Sequence, residues 1–69
     1  MAEKEGRSSI QVIERMMHLL EVLALHAEAV NLKTLATSTS LHPSTAHRIL
    51  NVMVASRMVE RSEPGMYRL

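Results

Sequence analysis

The chain has 69 residues, no cysteine, and eight Lys and Arg against seven Asp and Glu, for a net charge of +1. That length makes one small domain whose single core is marginal without help from a partner, and the missing cysteine excludes disulfides and thiolate metal sites. No run approaches the roughly 20 apolar residues of a membrane span, and Glu3, Lys4, Glu5 and Arg7 ahead of any apolar run are not patterned as a secretory signal, so the expectation is a cytoplasmic protein with no membrane partner.

Met1 to Ser8 carries charges, a glycine and a serine without apolar periodicity, and is predicted to be a flexible arm (residues 1–8) ahead of one folded domain (residues 9–69). Lys4 and Arg7 could touch a DNA backbone or minor groove, though a solvated tail is the better explanation of them. From Ser9 or Ile10 to about His26 the spacing predicts a helix with Ser9 as N-cap. Val12, Ile13, Met16, Leu20 and Leu23 form its main apolar stripe, Met17, Leu19 and Ala24 widen it, and Val22 and Leu25 fall near the polar back. A helix greasy beyond one face packs on two things, so Val12 to Leu25 is the expected contact of a homodimer; surplus hydrophobes simply exposed to water are the plainer alternative.

Ala27 to Val30 reads as a connection. Asn31 then caps a short helix from Leu32 to about Thr39, with Leu32, Leu35 and Ala36 inward. Thr39-Ser40-Leu41 joins it to a longer helix, Pro43 to Val54. Pro43 suits the first helical position, which makes His42 the N-cap and leaves a positive helix end where a phosphate can approach. On a 3.6-residue period Ala46, Ile49, Leu50 and Met53 share one face, while Ser44, Arg48 and Asn51 lie opposite, flanked by Thr45 and His47. Hydroxyls, an imidazole, a guanidinium and an amide are donors and acceptors suited to phosphates and base edges. A short helix, a tight turn and a longer helix, with small Ala36 and Ala46 allowing close approach, form a helix-turn-helix.

Bulk charge announces no nucleic-acid binder, but its distribution is uneven. From Asn31 to Arg57 the chain has Lys33, Arg48 and Arg57, two histidines and no acid, whereas five of the seven acids lie at or before Glu28. After Met53 the pattern alternates in Met58-Val59-Glu60-Arg61 and Met66-Tyr67-Arg68-Leu69, around the turn Ser62-Glu63-Pro64-Gly65. That is a hairpin placed as a wing, expected to pack Val59, Tyr67 and Leu69 near the core and to lay Arg61 or Arg68 along a DNA backbone. The fold class is therefore mostly α with a small β-hairpin, a winged helix-turn-helix.

Over Ser9 to Leu69 these residues resemble the N-terminal winged helix-turn-helix domain of IclR-type bacterial transcriptional regulators. The resemblance is carried by the first helix Ile10 to Glu21, by Leu32-Lys33-Thr34-Leu35-Ala36, by Leu41 to Leu50, which is the most specific stretch, and by the wing ending Tyr67-Arg68-Leu69. It implies a dimeric repressor or activator on double-stranded DNA with a palindromic operator, the Pro43–Val54 helix in the major groove, and first-helix contacts between DNA-binding domains. Ser44, Thr45, His47 and Arg48 match the family's DNA-facing positions. Adding Pro43, Asn51, Arg61 and Arg68 from the reading above completes the candidate DNA-binding set. The family also carries a C-terminal domain that binds a small-molecule effector; it lies outside these 69 residues, so an effector is expected only through it, and the 69 residues read as a fragment of a longer regulator. Two positions depart from the family pattern: Ser40 and Arg57 stand where glycine is usual or frequent, and each must either accept a left-handed backbone or alter its turn.

Two other functions are open to such a chain. A winged domain can serve as a protein-interaction or dimerisation module without reading DNA, and salt dependence of binding separates the two. An enzyme finds no support: His18, His26, His42 and His47 form no metal or acid-base constellation, Glu14 and His18 read as a surface pair, and there is no phosphate loop. No cofactor is expected, and the six methionines read as adaptable core filler.

Overall fold

Apolar spacing and helix caps lay out the chain. In order, the elements are α1 (Ala2–Ala24), β1 (Val30–Asn31), α2 (Leu32–Ser38), α3 (Pro43–Ala55), β2 (Glu60–Glu63) and β3 (Met66–Arg68). This is a computed structural model that describes residues 2–69, with side chains from Ile10 onward.

Helix α1 reaches back to Ala2, so Ser9 lies inside it and is not its N-cap. Ala2, Glu3, Lys4 and Glu5 are all good helix formers, and they carry the helix past the point where apolar periodicity stops. Met1 and the side chains of residues 2–9 lie outside the described part, and with them the expected contacts of Lys4 and Arg7. At the other end the regular helix stops at Ala24, short of the predicted His26. Leu25 and His26 continue as a tighter turn, donating to Val22 and Leu23 carbonyls, and the His26 ring nitrogen Nδ1 lies 2.9 Å from the Val22 carbonyl oxygen as a side-chain cap.

The buried face of α1 is Leu19, Val22 and Leu23, with Met16 and Leu20 packed at its edge. Val22, assigned to the polar back by sequence, is only 7% exposed. The stripe is set by where α2, α3 and the sheet meet the helix, which rotates it about a fifth of a turn from the one that simple apolar counting selects. Val12 and Ile13, at the middle of α1 and ahead of its first buried residue, are exposed.

Asn31 closes β1 and caps α2 at once: the Thr34 N–H donates to its Oδ1 at 2.7 Å. Helices α2 and α3 pack on each other, and Ala36 and Ala46 are both buried. The sheet is antiparallel with strand order β1-β3-β2. Its third strand, two residues long, was not foreseen in the Ala27–Val30 connection. Val30 pairs with Tyr67 and Asn31 with Met66, and the Leu32 N–H donates to the Gly65 carbonyl, so the hairpin is stitched to the start of α2. Across the hairpin Glu60 pairs with Arg68, Arg61 with Tyr67 and Glu63 with Met66, with a bulge between Arg61 and Glu63. Gly65, at φ 79, takes the positive-φ place after Pro64 in the two-residue turn.

Leu19, Leu23, Leu35, Leu50, Met53 and Tyr67 are the largest fully buried side chains, so the core is shared by all three helices and the sheet. Val59 and Tyr67 join it as expected. Leu69 does not: it is 52% exposed, beyond the last paired residue of β3.

Candidate nucleic-acid interface

The turn before α3 is built by a paired helix stop. The Leu41 N–H donates to the Ala36 carbonyl at 2.9 Å and the Ser40 N–H to Thr37 at 3.2 Å, which requires Ser40 to sit left-handed, at φ 56. Thr39, a residue the sequence does not single out, is buried and turns its hydroxyl onto the Leu35 carbonyl at 2.7 Å. The same carbonyl also accepts the Thr39 backbone N–H at 3.1 Å, so the buried hydroxyl is satisfied and Thr39 is tied twice to the end of α2. Leu41 packs against the core from the far side of the turn. The direction in which α3 leaves is thus fixed by three adjacent residues.

Helix α3 starts as its sequence predicts. His42 is the N-cap, with extended backbone, and Pro43 follows at the first turn. The Ser44 N–H donates to His42 Nδ1 at 3.2 Å, and the Ser44 hydroxyl is 2.8 Å from the same nitrogen. Acceptance there places the ring proton on Nε2. Among the described residues, the N–H of Thr45 is left open to an incoming acceptor at the positive end of the helix.

Along α3, Ala46, Ile49, Leu50 and Met53 are buried, and Ser44, His47, Arg48 and Asn51 are exposed on the opposite side. Pro43 is exposed at the helix tip, and Thr45 is half-buried at the edge of the exposed stripe. The helix carries no acid in its first turn and none anywhere along its length. The six α3 members of the candidate set are therefore brought to one side of one helix.

The two wing arginines are not brought together. Arg61 stands opposite Tyr67 in the ladder, so the two share a face of the hairpin. Arg68 stands opposite Glu60 on the other face and meets its carboxylate at 3.9 Å, with both side chains largely exposed. An exposed pair of this kind contributes well under about 1 kcal/mol, and it directs Arg68 towards Glu60. Arg57, not in the sequence-derived set, is exposed just past α3 and lines a cleft with Arg61. Its signal was present in the sequence as a non-glycine residue at a helix stop.

A helix-turn-helix whose second helix exposes polar, acid-free chemistry, followed by a β-hairpin, defines a winged helix-turn-helix of the DNA-binding class. The family model described as the IclR helix-turn-helix domain matches residues 12–63, and the chain belongs to that family of DNA-binding transcription regulators. No curated protein and no solved structure gives a significant match to the chain. Among the described residues no helix is long and apolar enough to cross a membrane.

Proposed function

We propose that the protein reads a specific duplex sequence as a homodimer, with α3 of each copy in the major groove of a palindromic operator. The observation that carries this reading is the exposed stripe Ser44, His47, Arg48 and Asn51 on a capped helix free of carboxylates. Arg48 and His47 read base edges. Ser44, Thr45 and the helix end after Pro43 anchor phosphates, Asn51 extends the base-reading row, and Arg61 follows the backbone, while Arg68 stays with Glu60 on the other face of the hairpin. No reaction is assigned to the chain; a small-molecule effector would act through a separate domain of the family's kind.

The second copy docks on α1. Ile10, Ile13 and Met17 are 57%, 54% and 58% exposed and fall on one side of the helix, apart from the buried face. A soluble surface gains nothing by presenting three large apolar residues in a row, and a two-fold partner offers the same row in return.

The test is selection of duplexes from a random pool by the chain and by Arg48→Ala at moderate salt. Enrichment of a two-fold symmetric motif by the chain, blurred in the variant, supports the proposal. Arg48→Ala should cost about 1–3 kcal/mol of binding if it reads a base. No enrichment by a demonstrably folded chain would favour the rival reading, a protein-interaction module built on the apolar row of α1.

A further inference from the structure

A cleft opens between the C-terminal end of α3 and the first strand of the wing, lined by Val54, Arg57, Val59, Glu60, Arg61 and Ser62. Arg57 is the unusual member. Its backbone is left-handed, φ 61, a conformation in which the Cβ of an L-residue crowds the carbonyl and which glycine adopts freely. The helix stop does not need its side chain: the bonds there run from the backbone N–H of Arg57 to Val54 and of Met58 to Met53, which any residue but proline supplies. Among the described residues the Arg57 guanidinium takes part in no hydrogen bond and no ion pair. A strained position holding a long cation without an internal partner points to a partner outside the chain.

The surroundings say which kind. Arg57 and Arg61 are both exposed at this cleft, and its one carboxylate, Glu60, is occupied by Arg68. The cleft therefore presents two exposed guanidinium groups against one carboxylate, which Arg68 meets at 3.9 Å. Val54 follows His47 by seven residues, about two turns, and so lies on the same edge of α3. The cleft flanks the exposed stripe of α3 on its His47 side, between that stripe and the wing. When a recognition helix fills a major groove, a sugar-phosphate strand runs along each wall, and a cleft in this position faces one of them.

We propose that Arg57 and Arg61 together grip one backbone phosphate of the bound duplex, and that the left-handed conformation of Arg57 is retained for that contact. This rests on the DNA-reading function proposed above and adds to it a residue at the foot of the wing. The planar forks of two guanidinium groups match the tetrahedral oxygens of a phosphodiester. A grip on the backbone fixes the register of α3 in the groove and carries no sequence information of its own.

The test is equilibrium binding to the selected operator and to an unrelated duplex over a salt series, together with thermal melting. It compares the unaltered chain, Arg57→Gly, Arg57→Lys, Arg61→Ala and the Arg57→Gly/Arg61→Ala double variant. Arg57→Gly should melt at a higher temperature and yet bind both duplexes more weakly, with the slope of log K against log salt shallower by about 1. Arg57→Lys should keep most of that slope because it keeps the charge. The double variant should lose less than the two single losses combined, since both side chains serve one phosphate. Higher melting with unchanged affinity and slope in Arg57→Gly would overturn the inference and leave the DNA-reading function standing. A loss confined to the operator would also overturn it, by making Arg57 a base reader. An unaltered chain that binds neither duplex removes the underlying reading, and this one with it.

Discussion

Ser40 and Arg57 occupy equivalent places in two helix stops, one at each end of α3, and both are left-handed without being glycine. An L-residue in that region costs roughly 1–2 kcal/mol relative to a right-handed one. Ser40 is exposed and its side chain has no bond among the described residues, so Ser40→Gly should relieve strain without removing a contact. It is expected to stabilise by about 0.5–1 kcal/mol, seen as a rise of several degrees in the thermal midpoint of a domain this small. Ser40→Val, with a branched Cβ, should shift it the other way. At the start of the same helix, His42 supplies the capping acceptor, and His42→Ala should cost about 1 kcal/mol. His42→Asp separates stability from binding. The carboxylate can cap Ser44 and suits the positive helix end, so the melting temperature should hold or rise, but it sets a negative charge where a phosphate must approach, and operator affinity should fall. Equal affinity in His42→Asp and the unaltered chain would remove the helix end from the interface.

Elements whose signals are local were mostly legible in the sequence, the start of α1 at Ala2 in place of Ser9 being the exception, and those decided by distant partners were not. Asn31, His42 and Pro43 mark helix starts by chemistry that acts within three residues, and the structure has both caps where they were expected. The Pro64-Gly65 turn and the inward Val59 and Tyr67 were readable for the same reason. Strand β1 was not, because two residues carry no period; its pairing comes from Tyr67 and Met66, more than thirty positions away. Val22 and Leu69 were misplaced because a side chain's burial depends on which surface arrives to cover it. The candidate site divides the same way: the exposed stripe of α3 follows from helical spacing, whereas the opposite facing of Arg61 and Arg68 follows from hairpin register and a bulge that sequence does not print. The junction of α2 and α3 was foreseen through its small residues, and it can be tested there. Ala46 is completely buried, so Ala46→Leu has no room and should destabilise by about 1–3 kcal/mol, tilting α3 and lowering specificity even in the molecules that stay folded. Unchanged melting would mean that the two helices are not in close contact at Ala46.

At the scale of the whole molecule, the question is how a domain of net charge +1 achieves useful affinity for a polyanion. One copy offers a single exposed polar helix face and a few cations, and the four acids of α1, Glu3, Glu5, Glu14 and Glu21, work against long-range attraction. Two copies fixed at the right spacing double the contacts, and the second half-site is then filled from a high effective concentration. Helix α1 is suited to that task because its three sides are distinct: Leu19, Val22 and Leu23 face the core, Ile10, Ile13 and Met17 form the exposed apolar row, and Gln11, Glu14, His18 and Glu21 are polar. If the apolar row joins two copies, their reading helices must present themselves about 34 Å apart, one turn of DNA. Met17→Glu places like charges face to face across that two-fold contact while leaving the core untouched, since Met17 is 58% exposed. Sedimentation should show the dimer lost or weakened at a concentration where the unaltered chain is dimeric, with melting of the monomer preserved. On DNA, the variant should bind a single half-site as well as the unaltered chain does, yet lose the extra affinity of a full palindrome. Equal preference for the palindrome in both proteins would place the dimer contact elsewhere and leave the row on α1 to a different partner.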